Sequence, residues 1–139
     1  MSKTVDFYLD FSSQNAYFSH KALSGILERT GATANYIPCL LGGIFKATGN
    51  QAPMMAYAGI KGKNEYSMLE TQRFIAKHSI TNFTMNPYFP VNTVMIQRAA
   101  LAAEQDGKLA EFITAGLACM WEDNKKMDDA DVFVAAITE

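Results

Sequence analysis

The sequence predicts an α/β fold that begins with a strand–helix–strand unit and continues as helices. Residues 4–10 alternate apolar and polar side chains, as a half-buried strand does. Residues 14–30 carry apolar residues at helical spacing, and a second short apolar strand follows at 34–37. From residue 64 onward the predicted elements are all helices, with one loop at 79–91 between them. These observations together predict a βαβ unit, with a right-handed crossover, followed by an all-helical segment.

Local signals mark the ends of the first elements. Ser12 or Ser13 can cap the first helix, because a serine oxygen accepts a hydrogen bond from an unpaired amide of the first turn. Gly31 is suited to end the same helix in a left-handed conformation. Pro38 closes the second strand because it has no amide to donate to a neighbouring strand.

Residues 40–60 are read as loops rather than as an element. The glycine pair at Gly42 and Gly43 allows a sharp turn or a close backbone approach, and Gly49 with Asn50 is a second turn signal. Residues 51–60 are apolar but irregular, so we interpret them as a packed loop.

The rest of the chain is predicted to be helical around one loop, 79–91. Asn92 or Thr93 can cap the second of these predicted helices, and Asp128 or Asp129 the last. The helices are predicted at 64–78, 93–106, 108–123 and 130–138. Two parallel strands make a small sheet with open edges, so a stable α/β core is expected to need further strands. The predicted division is a βαβ half with its following loop at 1–60 and a helical segment at 61–139.

Composition narrows the classes of function. The chain has 139 residues, 49% of them hydrophobic, and a formal net charge of −2, which argues against nucleic acid as the main partner. No apolar run reaches membrane-spanning length, and no export segment precedes the first strand, so a cytoplasmic protein is expected. Cys39 and Cys119 lack metal-ligand spacing and fit a reducing compartment. His20 and His78 have no ligand companions, so no metal site is predicted.

Four motifs resemble one protein family in matching order. They are Asp-Phe-Tyr-Leu-Asp-Phe-Ser-Ser at 6–13, Leu-Leu-Gly-Gly-Ile-Phe-Lys-Ala-Thr-Gly-Asn-Gln-Ala-Pro at 40–53, Lys63 with Tyr66, and Phe-Pro-Val-Asn-Thr at 89–93. The chain resembles the 2-hydroxychromene-2-carboxylate isomerases, which share a DsbA-like fold with kappa-class glutathione transferases. The resemblance implies a thioredoxin-like βαβ half followed by an α-helical insertion. On this resemblance, the C-terminal half of the family's sheet is expected to be missing from this sequence.

The resemblance also implies a glutathione site. Ser13 matches the family's catalytic serine, and it would bind the cofactor together with Asn50 and Lys63. Lys46 and Asn92 would bind the carboxylate substrate. Read without the family, the same residues are a helix cap, turn residues and solvated lysines, and Lys61 is an alternative to Lys63. The family commonly has proline directly after the serine, whereas this chain has Gln14, which leaves the turn less constrained.

Three functions follow as alternatives from the resemblance. The first is a glutathione-dependent isomerase acting on a conjugated aromatic carboxylate, through a thiolate stabilised by Ser13. The second is a kappa-like glutathione transferase that uses the same serine. The third is a non-catalytic binding or assembly module, since part of the fold is missing. A homodimer is expected because pairing would cover an open sheet edge. Thiol–disulfide exchange is disfavoured because no Cys-x-x-Cys motif occurs.

Overall fold

The computed structural model describes residues 3–138, which form two strands and seven helices. It confirms the βαβ unit and the helical segment that follows it. The elements are β1 (Thr4–Leu9), α1 (Gln14–Thr30), β2 (Thr33–Pro38), α2 (Leu41–Thr48), α3 (Pro53–Ala56), α4 (Lys63–Lys77), α5 (Val94–Gln105), α6 (Leu109–Trp121) and α7 (Ala130–Thr138).

The described residues divide into two compact units. One contains the residues up to Cys39 together with those from Asn82 onward, and the other is Leu40–Thr81. The boundary after residue 60 stays a prediction. The two compact units are divided elsewhere, after Cys39 and before Asn82, because the helices that follow Asn82 pack with the βαβ residues.

In the first unit, β1 and β2 pair in parallel. The register runs from Thr4 opposite Thr33 to Leu9 opposite Pro38. Beyond it, the amide of Cys39 donates to the carbonyl of Leu9 over 2.8 Å. The carboxyl ends of both strands therefore meet at one edge of the sheet, which is where ligand sites of open α/β sheets usually lie.

The core of the first unit anchors the end of β1. Phe11 and Trp121 have no solvent exposure, and the indole Nε1–H of Trp121 donates to the carbonyl of Phe11 over 2.9 Å. Gly116 on α6 faces the Phe11 ring, and a Cβ at this glycine would lie 2.7 Å from Phe11 Cε1. The close approach of α6 therefore depends on a missing side chain.

A buried asparagine holds the loop before α5 against the end of α6. The Asn86 Nδ2 group donates to the carbonyls of Met120 and Lys125 over 2.8 and 3.1 Å. Its Oδ1 atom accepts from the amide of Tyr88 over 2.9 Å. One side chain thus satisfies backbone groups from two parts of the chain, as a buried amide must.

The second unit differs from the loops expected between residues 40 and 60. Gly42 and Gly43 lie inside α2 rather than in a sharp turn, and the packed loop contains α3. Glycine disfavours a helix by about 1 kcal/mol but does not forbid it, and Pro53 at the start of α3 has a φ already suited to a helix. Gly49 does end α2 in the left-handed region, at φ 66°, as its turn signal indicates.

Candidate functional site

The candidate site is centred on the turn between β1 and α1. The amide of Ser13 donates to the carbonyl of Asp10 over 2.9 Å, which closes a tight turn. Ser13 is the N-cap of α1, and its Oγ accepts from the amide of Ala16 over 3.2 Å. The cap predicted at Ser12 or Ser13 is therefore Ser13. Because its oxygen is the acceptor in this bond, the hydroxyl hydrogen points elsewhere and can be donated to a ligand.

The start of α1 favours a negatively charged ligand. The amide of Tyr17 makes the first intrahelical bond, to the carbonyl of Ser13, so the amides of Gln14 and Asn15 have no acceptor within the helix. The first turn of α1 carries no acidic side chain. Ser13 and Gln14 are half-buried rather than fully covered. Amides aligned with a helix dipole stabilise an anion such as a thiolate or a carboxylate.

A buried carboxylate lies directly beneath this turn. Asp10 is 4% exposed, and its Oδ1 accepts from the amide of Ser12 over 3.0 Å and from the hydroxyl of Thr93 over 2.7 Å. Thr93 lies at the start of α5, next to Asn92 in the sequence. The Asp10–Thr93 bond therefore links the Ser13 turn to the region of Asn92.

Asn92, which the resemblance assigns to the substrate, is exposed and caps α5. Its Oδ1 accepts from the amide of Val94 over 3.0 Å, and its own amide donates to Asp128 Oδ2 over 3.3 Å. Of the two predicted caps, Thr93 stands at the N-cap position but its side chain makes no capping bond. The oxygen that accepts from the first amide of α5 is that of Asn92, one residue earlier. The assignment of Asn92 to the substrate stays a prediction.

The buried Gln97 contacts the half-buried Cys39 at the same edge of the sheet. The Gln97 Nε2 group donates to the carbonyl of Cys39 over 2.8 Å, and its Oε1 has no hydrogen-bond partner among residues 3–138. Burial raises the pKa of the Cys39 thiol, and the negative charge of Asp10 raises it further. Cys39 is therefore a weaker acid than an ordinary cysteine thiol.

Lys46, Asn50 and Lys63 lie in the second compact unit, and all three are exposed. Lys46 is in the last turn of α2. Asn50 follows the glycine cap of that helix, and its amide donates to the carbonyl of Phe45 over 2.8 Å. Lys63 is the first residue of α4, with its Nζ 5.3 Å from the centre of the Tyr57 ring. Their roles in binding stay predictions.

Sequence reasoning missed Asp10, Gln97 and the contact of Thr93. The alternation of β1 gave no signal for Asp10, because it places Val5, Phe7 and Leu9 on the inward face and residue 10 on the other. Among residues 3–138 no three His, Cys, Asp or Glu side chains come together in a way that could hold a metal ion. In the same part of the chain, no helix has the length and apolar character needed to cross a membrane.

Comparison with known proteins gives three matches. The model of a family described as a DSBA-like thioredoxin domain matches residues 4–139. Over 121 residues the chain is 29% identical to a 2-hydroxychromene-2-carboxylate isomerase from Sphingobium xenophagum. The aligned region covers 87% of this chain and 60% of that protein. A solved structure of selenomethionine 2-hydroxychromene-2-carboxylate isomerase shares the fold, with a TM-score of 0.76 at 20% identity. That match covers 97% of this chain and 64% of the solved chain.

Proposed function

This chain belongs to the DSBA-like thioredoxin family, and on that premise we propose that it acts in a glutathione-dependent isomerase. The observation that carries the proposal is the Ser13 hydroxyl at the N-terminus of α1. The similarity to a 2-hydroxychromene-2-carboxylate isomerase supports the reaction class. The chain spans 60% of that relative's length, so the relative's activity is carried over here only as part of the proposal.

The residues around Ser13 fit the thiol of glutathione. When bound there, glutathione would supply a thiolate nucleophile for reversible addition to a conjugated double bond. Ser13 donates its hydroxyl hydrogen to the thiolate sulfur, and the amides of Gln14 and Asn15 add the field of the helix terminus. Asp10 holds the turn in place through the amides of Ser12 and Ser13.

The remaining predicted residues are proposed to bind carboxylates. Glutathione carries two, and we assign them to Asn50 and Lys63, an amide donor and an ammonium group. The substrate is proposed to be a conjugated aromatic carboxylate, with Lys46 and Asn92 as its partners. Exposed lysines are suited to this role because an ammonium group on a long flexible side chain can reach an incoming anion.

The test of the proposal is a calorimetric titration with reduced glutathione. The wild-type chain is compared with Ser13→Ala, and Ser12→Ala is the matched control because it removes a hydroxyl one residue away. We expect Ser13→Ala to weaken binding at a pH where the thiol is ionised, while Ser12→Ala binds as the wild type does. Absence of binding to the wild-type chain at millimolar glutathione would contradict the proposal and favour a non-catalytic module.

Turnover separates the isomerase from a kappa-like transferase. The isomerase reading predicts that 2-hydroxychromene-2-carboxylate, used as the trial substrate, is converted with glutathione present in catalytic amounts and not consumed. Stoichiometric loss of the thiol with an electrophilic substrate would instead identify a transferase. The two outcomes are read from thiol content and substrate absorbance in one reaction.

The homodimer remains part of the proposal. The β1–β2 sheet has only these two strands among residues 3–138, so each strand has one edge without a strand partner in that part of the chain. Val5 and Tyr8 on β1 are also exposed. Light scattering that finds a monomer at micromolar concentration would contradict a dimer built on this edge.

A further inference from the structure

Thr93 occupies the N-cap position of α5 without capping it. A threonine at this position normally accepts a hydrogen bond from an amide in the first turn of its own helix. Here its hydroxyl donates to Asp10 Oδ1 over 2.7 Å, and neighbouring Asn92 supplies the capping oxygen. Thr93 and Asp10 are 2% and 4% exposed. The Thr93 hydroxyl therefore forms a buried hydrogen bond with Asp10, a residue 83 positions away in the sequence.

Asp10 transmits this contact to the turn that carries Ser13. Its Oδ1 accepts from the amide of Ser12, and its carbonyl accepts from the amide of Ser13. A carboxylate held by Thr93 cannot rotate away from the Ser12 amide without losing a short, charge-assisted bond. The orientation of the Ser13 hydroxyl thus depends on a residue at the start of α5.

We propose that Thr93 and Asp10 are positioning residues, which fix the turn so that the Ser13 hydroxyl is held in the geometry needed to donate to a ligand sulfur. The catalytic part of this inference rests on the proposed function. The structural part, that Thr93 orders the Ser12–Ser13 turn, does not. The two parts are therefore tested with separate readouts.

The charge of Asp10 argues for positioning rather than for direct stabilisation of the ligand. A carboxylate beside a thiolate disfavours the thiolate. The pKa of the Cys39 thiol, raised by burial and raised further by the charge of Asp10, shows the same effect. A carboxylate kept at this place therefore contributes through its hydrogen bonds. Asp10→Asn retains an Oδ1 acceptor for both donors and removes the charge, which separates the two roles.

The experiment compares Thr93→Val, which is nearly isosteric but lacks the hydroxyl, with Thr93→Ser, which retains it. Thr114→Val is the matched control, since it also removes a threonine hydroxyl, one that pairs with His20 over 3.1 Å instead. Amide hydrogen exchange at Ser12 and Ser13 is measured without glutathione. The pKa of the bound glutathione thiol is then measured by thiolate absorbance.

Thr93→Val is expected to lower the exchange protection of the two amides about tenfold or more, as loss of a hydrogen bond to a charged group does. It should also raise the bound thiol pKa toward the value found in Ser13→Ala. Thr93→Ser and Thr114→Val should leave both quantities at the wild-type values. If circular dichroism shows that Thr93→Val does not fold, the same two measurements are made on Asp10→Asn. This variant is expected to keep the exchange protection of the Ser12 and Ser13 amides and not to raise the pKa of the bound thiol.

Three results are decisive in different directions. Unchanged protection and an unchanged thiol pKa in Thr93→Val, with glutathione bound, overturn the positioning role and leave the proposed function standing. A raised thiol pKa in Asp10→Asn with full protection also overturns it, because the turn would then be intact. Lost protection in Thr93→Val, with no glutathione bound even by the wild type, supports the ordering of the turn and overturns the proposed function.

Discussion

Replacing Gly116 with alanine tests the packing that anchors the candidate site. The new Cβ would lie 2.7 Å from Phe11 Cε1, 3.1 Å from Phe11 Cδ1 and 3.0 Å from Ile96 Cδ1. All three neighbours belong to fully buried side chains. The Phe11 ring must therefore retreat by several tenths of an ångström within the buried core.

Two opposing terms set the size of the effect. Alanine in place of glycine favours a helix by about 1 kcal/mol, whereas overpacking a dense core costs about 1–3 kcal/mol. Phe11 cannot move cheaply, because its carbonyl accepts from Trp121 and its ring packs edge-on against Phe112 at 6.2 Å. The cost of overpacking should therefore be near the upper end, and Gly116→Ala should lower the free energy of unfolding by about 1–2 kcal/mol.

Gly25→Ala is the matched control, since Gly25 also lies inside a helix but a Cβ there meets nothing within 4 Å. It should raise the free energy of unfolding by about 0.4–1 kcal/mol. The assay is urea unfolding followed by the fluorescence of Trp121, the one tryptophan of the sequence. Equal or greater stability of Gly116→Ala relative to Gly25→Ala would refute the packing argument.

Further predictions concern stability elsewhere in the first unit. Asn86→Ala leaves two backbone carbonyls without their donor and should lower the free energy of unfolding, measured by thermal unfolding, by about 2–3 kcal/mol. Asn35→Ala, at an exposed position, should change this free energy little. The pKa of Glu122 is lowered below 4.5, because hydrogen bonds and the charge of Lys21 outweigh the effect of burial, which raises it. The stability that this carboxylate adds is therefore present above that pH and is lost as the pH falls through the lowered pKa. The stability gap between the wild type and Glu122→Gln should narrow in acid, and a gap independent of pH would contradict the assignment. Asp129→Ala removes the oxygen that accepts from the amides of Asp131 and Val132 at the start of α7. It should cost about 1 kcal/mol, seen as loss of helical circular dichroism at lower temperature.

Local signals in the sequence predict most of the secondary structure. The alternating pattern of β1, the Ser13 cap and the Gly31 cap are each set by residues within a few positions of one another, and the structure confirms them. α2 was missed because its glycine pair is typical of turns, although glycine only weakens a helix. The third α-helix of the chain, α3, was missed because an apolar but irregular segment has no clear period.

The buried contacts of the candidate site could not be read from the sequence. The Asp10–Thr93 bond joins residues 83 positions apart, and nothing in either local pattern specifies the other partner. Thr93 in particular reads as a helix cap, because its residue type and position favour that role. Only the packing of α5 against the end of β2 and the turn after β1 reveals that its hydroxyl is used elsewhere.

The most direct test of the central claim is the pKa of the glutathione thiol when bound to this chain. Thiolate absorbance is followed during a pH titration with saturating protein, for the wild type, Ser13→Ala and Ser12→Ala. We expect a bound thiol pKa well below that of free glutathione in the wild type and in Ser12→Ala, and a higher value in Ser13→Ala. The same thiol pKa in the wild type and in Ser13→Ala would contradict the claim that Ser13 stabilises a thiolate.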